Sequence, residues 1–259
     1  MSLSPAELEE LRLAKRLLEH PGLAVRIGAL VGFPIERGFD MLPGKLGRLV
    51  NEASRKAIEA ALDVALRTLD QRKPVAPANL WHKVAAGASG ALGGAFGLPA
   101  LVVELPVSTT IMMRSIADIA RSEGEDLATP EARLQCVQVL ALGGPTKGDD
   151  AAETGYFATR AAMAKAVSDA VAHLAKKGLT DKGAPALLRL LAQIAARFSL
   201  VVSEKAAAQS LPLVGACGGA LINALFIDHF QDMGRGHFLV RRLERLYGPA
   251  EVRRAYERL

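Results

Sequence analysis

Two polar clusters in a largely apolar chain hold the residue types that chemistry needs. The first runs from Glu104 to Asp118, with Glu104 and Ser108 four apart, Arg114 and Asp118 four apart, and Thr109 and Thr110 between them. A carboxylate and a guanidinium on an apolar wall can pair, fix the head group of a bound amphiphile, or leave the carboxylate as a general base. The same two charges can also do no more than pin helices together. Pro106 has no amide hydrogen and disfavours a helical Leu105. That predicts Glu104 at the end of the preceding segment and Ser108 in the first turn of the next helix.

The second cluster is Asn223, Asp228, His229, Asp232, His237 and Arg241. On one unbroken helix His229, Met233, His237 and Arg241 share a face, but Gly234 and Gly236 argue against that continuity. The acids and imidazoles have ligand chemistry suited to Zn²⁺ or Mn²⁺. Two histidines eight apart match no metal-binding spacing, and neither a metal nor another cofactor is expected. Asn223, among apolar neighbours, is expected to satisfy a backbone carbonyl. A Ser–His–Asp set built from Ser108 or Ser203, His229 and Asp228 lacks the GxSxG elbow, and neighbouring Asp228 and His229 diverge by about 100° on a helix. The glycine loop 143–148 lacks the order of a phosphate cradle, so nucleotide binding is not expected. Beyond it, Tyr156 and Arg160, four apart, are spaced to stack.

The elements that must position these residues read as helix after helix. Ser4, Pro5 and Glu7 form a capping-box start, with Leu8, Leu11, Ala14 and Leu18 at helical spacing until His20-Pro21-Gly22. A stripe of Leu46, Leu49, Val50, Ala53, Ala57, Ala60, Ala61 and Val64 predicts a helix over 46–69, and QRKPVAP at 71–77 predicts a linker. Helices follow at 78–97, 106–122 and 130–142, then from a cap at Asp150 and Glu153 to Lys177, then at 185–209, 213–232, 237–247 and 249–258. Period-two alternation is nowhere sustained, so the expected fold is all-α. Residues 84–103 and 206–227 carry no charge, and both hold glycines four apart. Such segments span a bilayer, insert reversibly, or cross tightly inside a soluble bundle. Their prolines and weak hydrophobicity favour the last, giving one multi-helix bundle with two Gly-rich apolar helices at its centre. The domain division is an N-terminal helix over 1–20 and one helical domain over 21–259.

The 259 residues are 50% hydrophobic but only 5% aromatic, so Ala, Leu, Val and Gly must fill the core. With 23% charged residues the chain is not a disordered one. Two cysteines cannot form a disulfide framework and suggest a reducing compartment. Four acids interrupt the first 20 residues, which are therefore not a signal peptide. The net charge of +5 lies mostly at the end, where seven arginines from Arg235 onward face three glutamates. Arg241, Arg242 and Arg245 are candidates for contact with anionic lipid, the alternative being a solvated helix face. No aromatic stacking set accompanies them, so nucleic acid is not an expected partner.

Several runs together resemble the EcsC family. They are Gly32-Phe33-Pro34-Ile35-Glu36 with Leu42-Pro43, Gly87-Ala88-Ser89-Gly90 through Gly97-Leu98-Pro99, and Glu104-Leu105-Pro106-Val107-Ser108-Thr109-Thr110 with Arg114-Ser115-Ile116. The run Leu211-Pro212-Leu213-Val214-Gly215-Ala216 with Gly219, Ala220 and Asn223 is similar too, as is the closing His237-Phe238, Arg241, Leu243, Tyr247-Gly248 and Val252. The likeness extends from about residue 20 to 256. It implies a bacterial cytoplasmic protein, or one peripheral at the inner face of the membrane, and carries over no catalytic residues.

These features favour a non-enzymatic, membrane-peripheral helical protein that binds lipid or another amphiphile, or docks on a membrane complex. A hydrolase of lipid or ester substrates and a soluble interaction scaffold are the alternatives. Glu104, Ser108, Thr109, Arg114, Asn223, His229, His237 and Arg241 are the candidate ligand-binding residues.

Overall fold

A computed structural model describes residues 3–19, 23–31, 46–69, 101–144, 155–178, 183–209 and 215–259. Among them every regular element is helical: α1 (Pro5–Glu19), α2 (Leu23–Val31), α3 (Leu46–Thr68), α4 (Leu101–Ser122), α5 (Pro130–Gln138) with a 3₁₀ turn at Val139–Ala141, α6 (Gly155–Lys177), α7 (Pro185–Gln209), α8 (Gly215–Tyr247) and α9 (Pro249–Arg258). The linker 71–77, the helix 78–97, the cap at Asp150 and Glu153, and most of the charge-free segment 84–103 lie outside the described residues. The second charge-free segment is divided, its first residues closing α7 and those from Gly215 opening α8.

Local chemistry sets the helix starts. At α1 the Ser4 amide donates to Glu7 Oε2 at 2.8 Å and the Glu7 amide returns to Ser4 Oγ at 3.4 Å, closing the expected capping box. Thr129 Oγ1 accepts from the Ala132 amide at the start of α5, with Pro130 in the first turn. Two expectations fail. α4 begins at Leu101 and runs through Pro106, with Leu105 helical and buried. Pro106 is the sixth residue of that helix, so its missing amide costs a single early bond, to Val102. α8 is one helix of 33 residues where two were expected, with Gly236 serving packing and not termination.

Gly236 shows why. A Cβ there would lie 2.6 Å from Leu18 Cγ and 3.1 Å from the Ala14 carbonyl, so α1 rests directly on the α8 backbone. Ala53, Ala57, Ala61 and Ala65 form a fully buried stripe on α3, which lies against α4 and α7. Phe198, Phe226 and Phe230 meet at the α7–α8 crossing with ring centroids 5.2–5.9 Å apart. Buried Arg133 ties α3 to α5, donating to the Leu66 and Leu127 carbonyls at 2.7 and 2.6 Å.

Gly234 and Gly236 give opposite expectations. At Gly234 a new Cβ meets nothing nearer than Ile116 Cγ1 at 3.7 Å, an ordinary contact. Gly234→Ala should therefore gain up to about 1 kcal/mol of helix propensity. Gly236→Ala should lose about 1–3 kcal/mol by overpacking against Leu18 and Ala14. Urea unfolding midpoints that move the same way for both would show that α1 does not seat on Gly236.

Candidate functional site

A buried polar centre lies where α4, α7 and α8 converge. Glu104 comes from the first turn of α4, Lys205 from the last turns of α7, and Asn223 from the third turn of α8. Lys205 is wholly buried, and its Nζ donates to Glu104 Oε1 at 3.0 Å, Glu104 Oε2 at 2.8 Å and Asn223 Oδ1 at 2.8 Å. Three acceptors match the three protons of an ammonium. The Phe226 ring centroid lies 4.6 Å from the same nitrogen and adds a cation–π contact. Burial lowers the Lys205 pKa, and the Glu104 charge opposes that shift.

The neighbouring residue Glu204 extends this centre to α2. Its Oε2 accepts from the Ala24 amide at 3.1 Å, capping an otherwise unpaired first-turn donor of that helix. Arg26 of α2 also reaches Asp232 on α8 at 3.2 Å. Burial pushes the Glu204 carboxyl up to about 7.

The structure brings together only some of the residues singled out in the sequence. Glu104 and Asn223 meet, through Lys205, which was not among the candidates. The Glu104–Arg114 pairing does not form: Arg114 is exposed almost three turns further along α4, and Lys205 holds both Glu104 oxygens. Asn223 accepts from a lysine as well as lying among apolar groups, so its carbonyl oxygen serves a charge. Ser108 donates to the Leu105 carbonyl at 3.1 Å, and buried Thr109 Oγ1 has no partner among the described residues. Ser203 donates to the Ser199 carbonyl at 2.8 Å, so each of the two serines weighed as nucleophiles bonds a helix carbonyl.

His229 is buried against Gly143 and Phe230, and its Nε2 has no hydrogen-bond partner among the described residues. Burial pulls its pKa down to about 4, with Arg26 acting in the same sense. His237 lies two turns away in a different network. Its Nε2 lies 3.0 Å from Gln135 Oε1 and its Nδ1 lies 3.0 Å from Tyr156 Oη. Arg160 donates to that phenol oxygen at 3.2 Å and to both oxygens of Glu244 at 2.8 and 2.9 Å. One proton arrangement satisfies every member: Arg160 to Tyr156, Tyr156 to His237 Nδ1, and His237 Nε2–H to Gln135. Burial raises the Tyr156 pKa and drives that of His237 well below its usual value, so both stay neutral. Among the described residues no three metal-ligating side chains converge.

The candidate membrane-facing arginines are engaged inside the fold. Arg241 pairs with Glu125 at 2.8 Å and Glu131 at 3.2 Å, Arg242 with Glu10 at 2.8 Å and Glu123 at 3.0 Å, and Arg245 with Glu125. Arg235, Arg253 and Arg254 likewise hold carboxylates within one turn. Arg241, Arg242 and Arg245 are thus charge-matched by acids from α1 and the α4–α5 region.

A model of the EcsC protein family matches residues 7–243. The chain belongs to the EcsC protein family. The match takes in α1 as well as the segments around Glu104, Lys205 and Asn223, so the buried centre lies within the family's own region. No curated protein and no solved structure matches the chain.

Two predictions follow from the geometry of this centre. Lys205→Met leaves Glu104 buried without a counter-charge and should cost about 3–5 kcal/mol, while Lys205→Met with Glu104→Leu should recover much of the loss. A double variant as unstable as the single one would contradict the pairing. For Glu204 the folded carboxyl holds its proton more tightly than an ordinary one at 4.5. Its contribution is complete below about 4.5 and is lost as the pH rises through about 7. Glu204→Gln keeps an oxygen for the Ala24 amide and removes the titration. Its unfolding midpoint should therefore rise relative to wild type between pH 5 and pH 8, whereas a constant offset would leave Glu204 without a pH role.

Proposed function

We propose that this EcsC protein is a membrane-peripheral helical protein that contacts lipid through the apolar end of its bundle. The reading rests on one observation: Val103, Val107 and Leu221 are exposed, Val103 at 73%, around the same helix ends that bury Glu104, Lys205 and Asn223. The charge-free sequence 84–103 runs directly into those residues of α4, and 206–227 surrounds Leu221. Leu188, Ala192, Ala196 and Leu200 add an exposed stripe along α7, a helix whose length and composition would suffice to cross a membrane. The fixed charge pair behind this end holds the apolar residues on a rigid base.

Attraction here is apolar. Each partly exposed aliphatic side chain contributes about 1 kcal/mol on transfer from water, so three of them give weak and reversible contact, to which the charge-free segments add. The C-terminal arginines already hold carboxylates and are not required for it. Flotation with phosphatidylcholine vesicles should recover the protein at low and high salt alike. Val103→Glu with Val107→Glu should reduce recovery at least tenfold without lowering the melting temperature. Binding that needs anionic lipid and disappears in salt, or that survives both glutamates, would overturn the reading.

A further inference from the structure

A cleft of about 690 Å³ lies at the other side of His237, bounded by α5, α6 and the α8–α9 corner. That volume is in the range of about 300–1,000 Å³ typical of small-molecule sites. Its long wall is one face of α6 from Phe157 through Ala164 and Val167 to Val171, about 21 Å at the helical rise. Facing it, Gln135 and Gln138 stand three residues apart on α5, only 8% and 3% exposed. The Gln135 carbonyl oxygen takes the His237 Nε2–H, which turns its amide nitrogen away from that network. Gln138 is the second carboxamide on that wall of the cleft. Two carboxamides on one wall offer both donors and acceptors to a ligand carbonyl or hydroxyl.

The charges in the wall already balance. Arg160 is committed to Glu244 by two bonds and Glu131 to Arg241, while Arg253 lies over the Phe157 ring and pairs with Glu257. An ionic head group would find no unpaired counter-charge among these four lining residues.

We propose that this cleft binds an uncharged chain-like amphiphile, with an ester, amide or hydroxyl head on Gln135 and Gln138 and an apolar tail along α6. The site is separate from the lipid-contacting end and does not depend on it. The polarised chain from Arg160 through Tyr156 and His237 fixes the Gln135 carbonyl oxygen, so its carboxamide is ordered before a ligand arrives.

Isothermal titration calorimetry with 1-decanoylglycerol below its aggregation concentration tests the assignment, with decanoate as the charged probe of equal chain length. Decanoylglycerol should bind at a one-to-one ratio and at least tenfold more tightly than decanoate. Gln138→Leu should weaken binding at least tenfold, and Ala164→Phe, which fills the cleft from the opposite wall, should abolish it, both at near-wild-type melting temperature. Vesicle flotation of the same variants should be unchanged, which separates failure of this site from failure of the membrane reading. Absence of decanoylglycerol binding, preference for decanoate, or full affinity in folded Gln138→Leu would overturn the proposal. Should Gln138→Leu not fold, the Ala164→Phe result decides it alone.

Discussion

A lysine ammonium with no access to water needs three acceptors and a counter-charge in the same place, and α4, α7 and α8 are arranged so that Lys205 finds them. Removing either charge would strand the other in a medium where an isolated ion costs several kcal/mol. The pair therefore fixes where α4 begins relative to the end of α7, and Asn223 fixes α8 to both. Glu204, one residue away, carries the same constraint to α2 through the Ala24 amide. Four helices thus depend on two adjacent residues of α7.

The remainder of the bundle divides its chemistry by location. Around the Lys205 end Val103, Val107 and Leu221 are exposed. Toward the α8–α9 corner charged residues are mutually satisfied, with α8 arginines meeting glutamates drawn from α1, α5 and the α4–α5 loop. Between the two lies a run of aromatic and imidazole groups that burial keeps neutral. Ser108 and Ser203, the two serines weighed as nucleophiles, both donate to helix carbonyls.

Much of the fold was legible because it follows from local rules. The capping box at Ser4, the α3 alanine stripe, the bounds of α7 and the break at Gly248-Pro249 each follow from a few neighbouring residues. The misreadings arose where a residue's local tendency yields to packing. Pro106 sits early enough in α4 to be tolerated, and Gly236 is inside α8 because α1 needs its missing side chain. The Glu104 partner was misread for a related reason: residues ten apart on one helix were paired, whereas the true partner lies 101 residues away. A signal did exist. Glu104 is the charge that closes one charge-free segment and Lys205 the opposite charge that precedes the other, which is how two apolar segments entering one core would be tied. The cleft had no such signal, because Gln135 and Gln138 on α5 meet Phe157 from α6 only in the folded bundle and are unremarkable singly.

The proposed lipid contact is the apolar end built on the Lys205 centre. Hydrogen–deuterium exchange with and without phosphatidylcholine vesicles tests it most directly. The account predicts new protection in the first turns of α4 and α8, around Val103, Val107 and Leu221, with the α9 amides unchanged. Protection confined to α9 and the last turns of α8, or none at the α4 start, would contradict it.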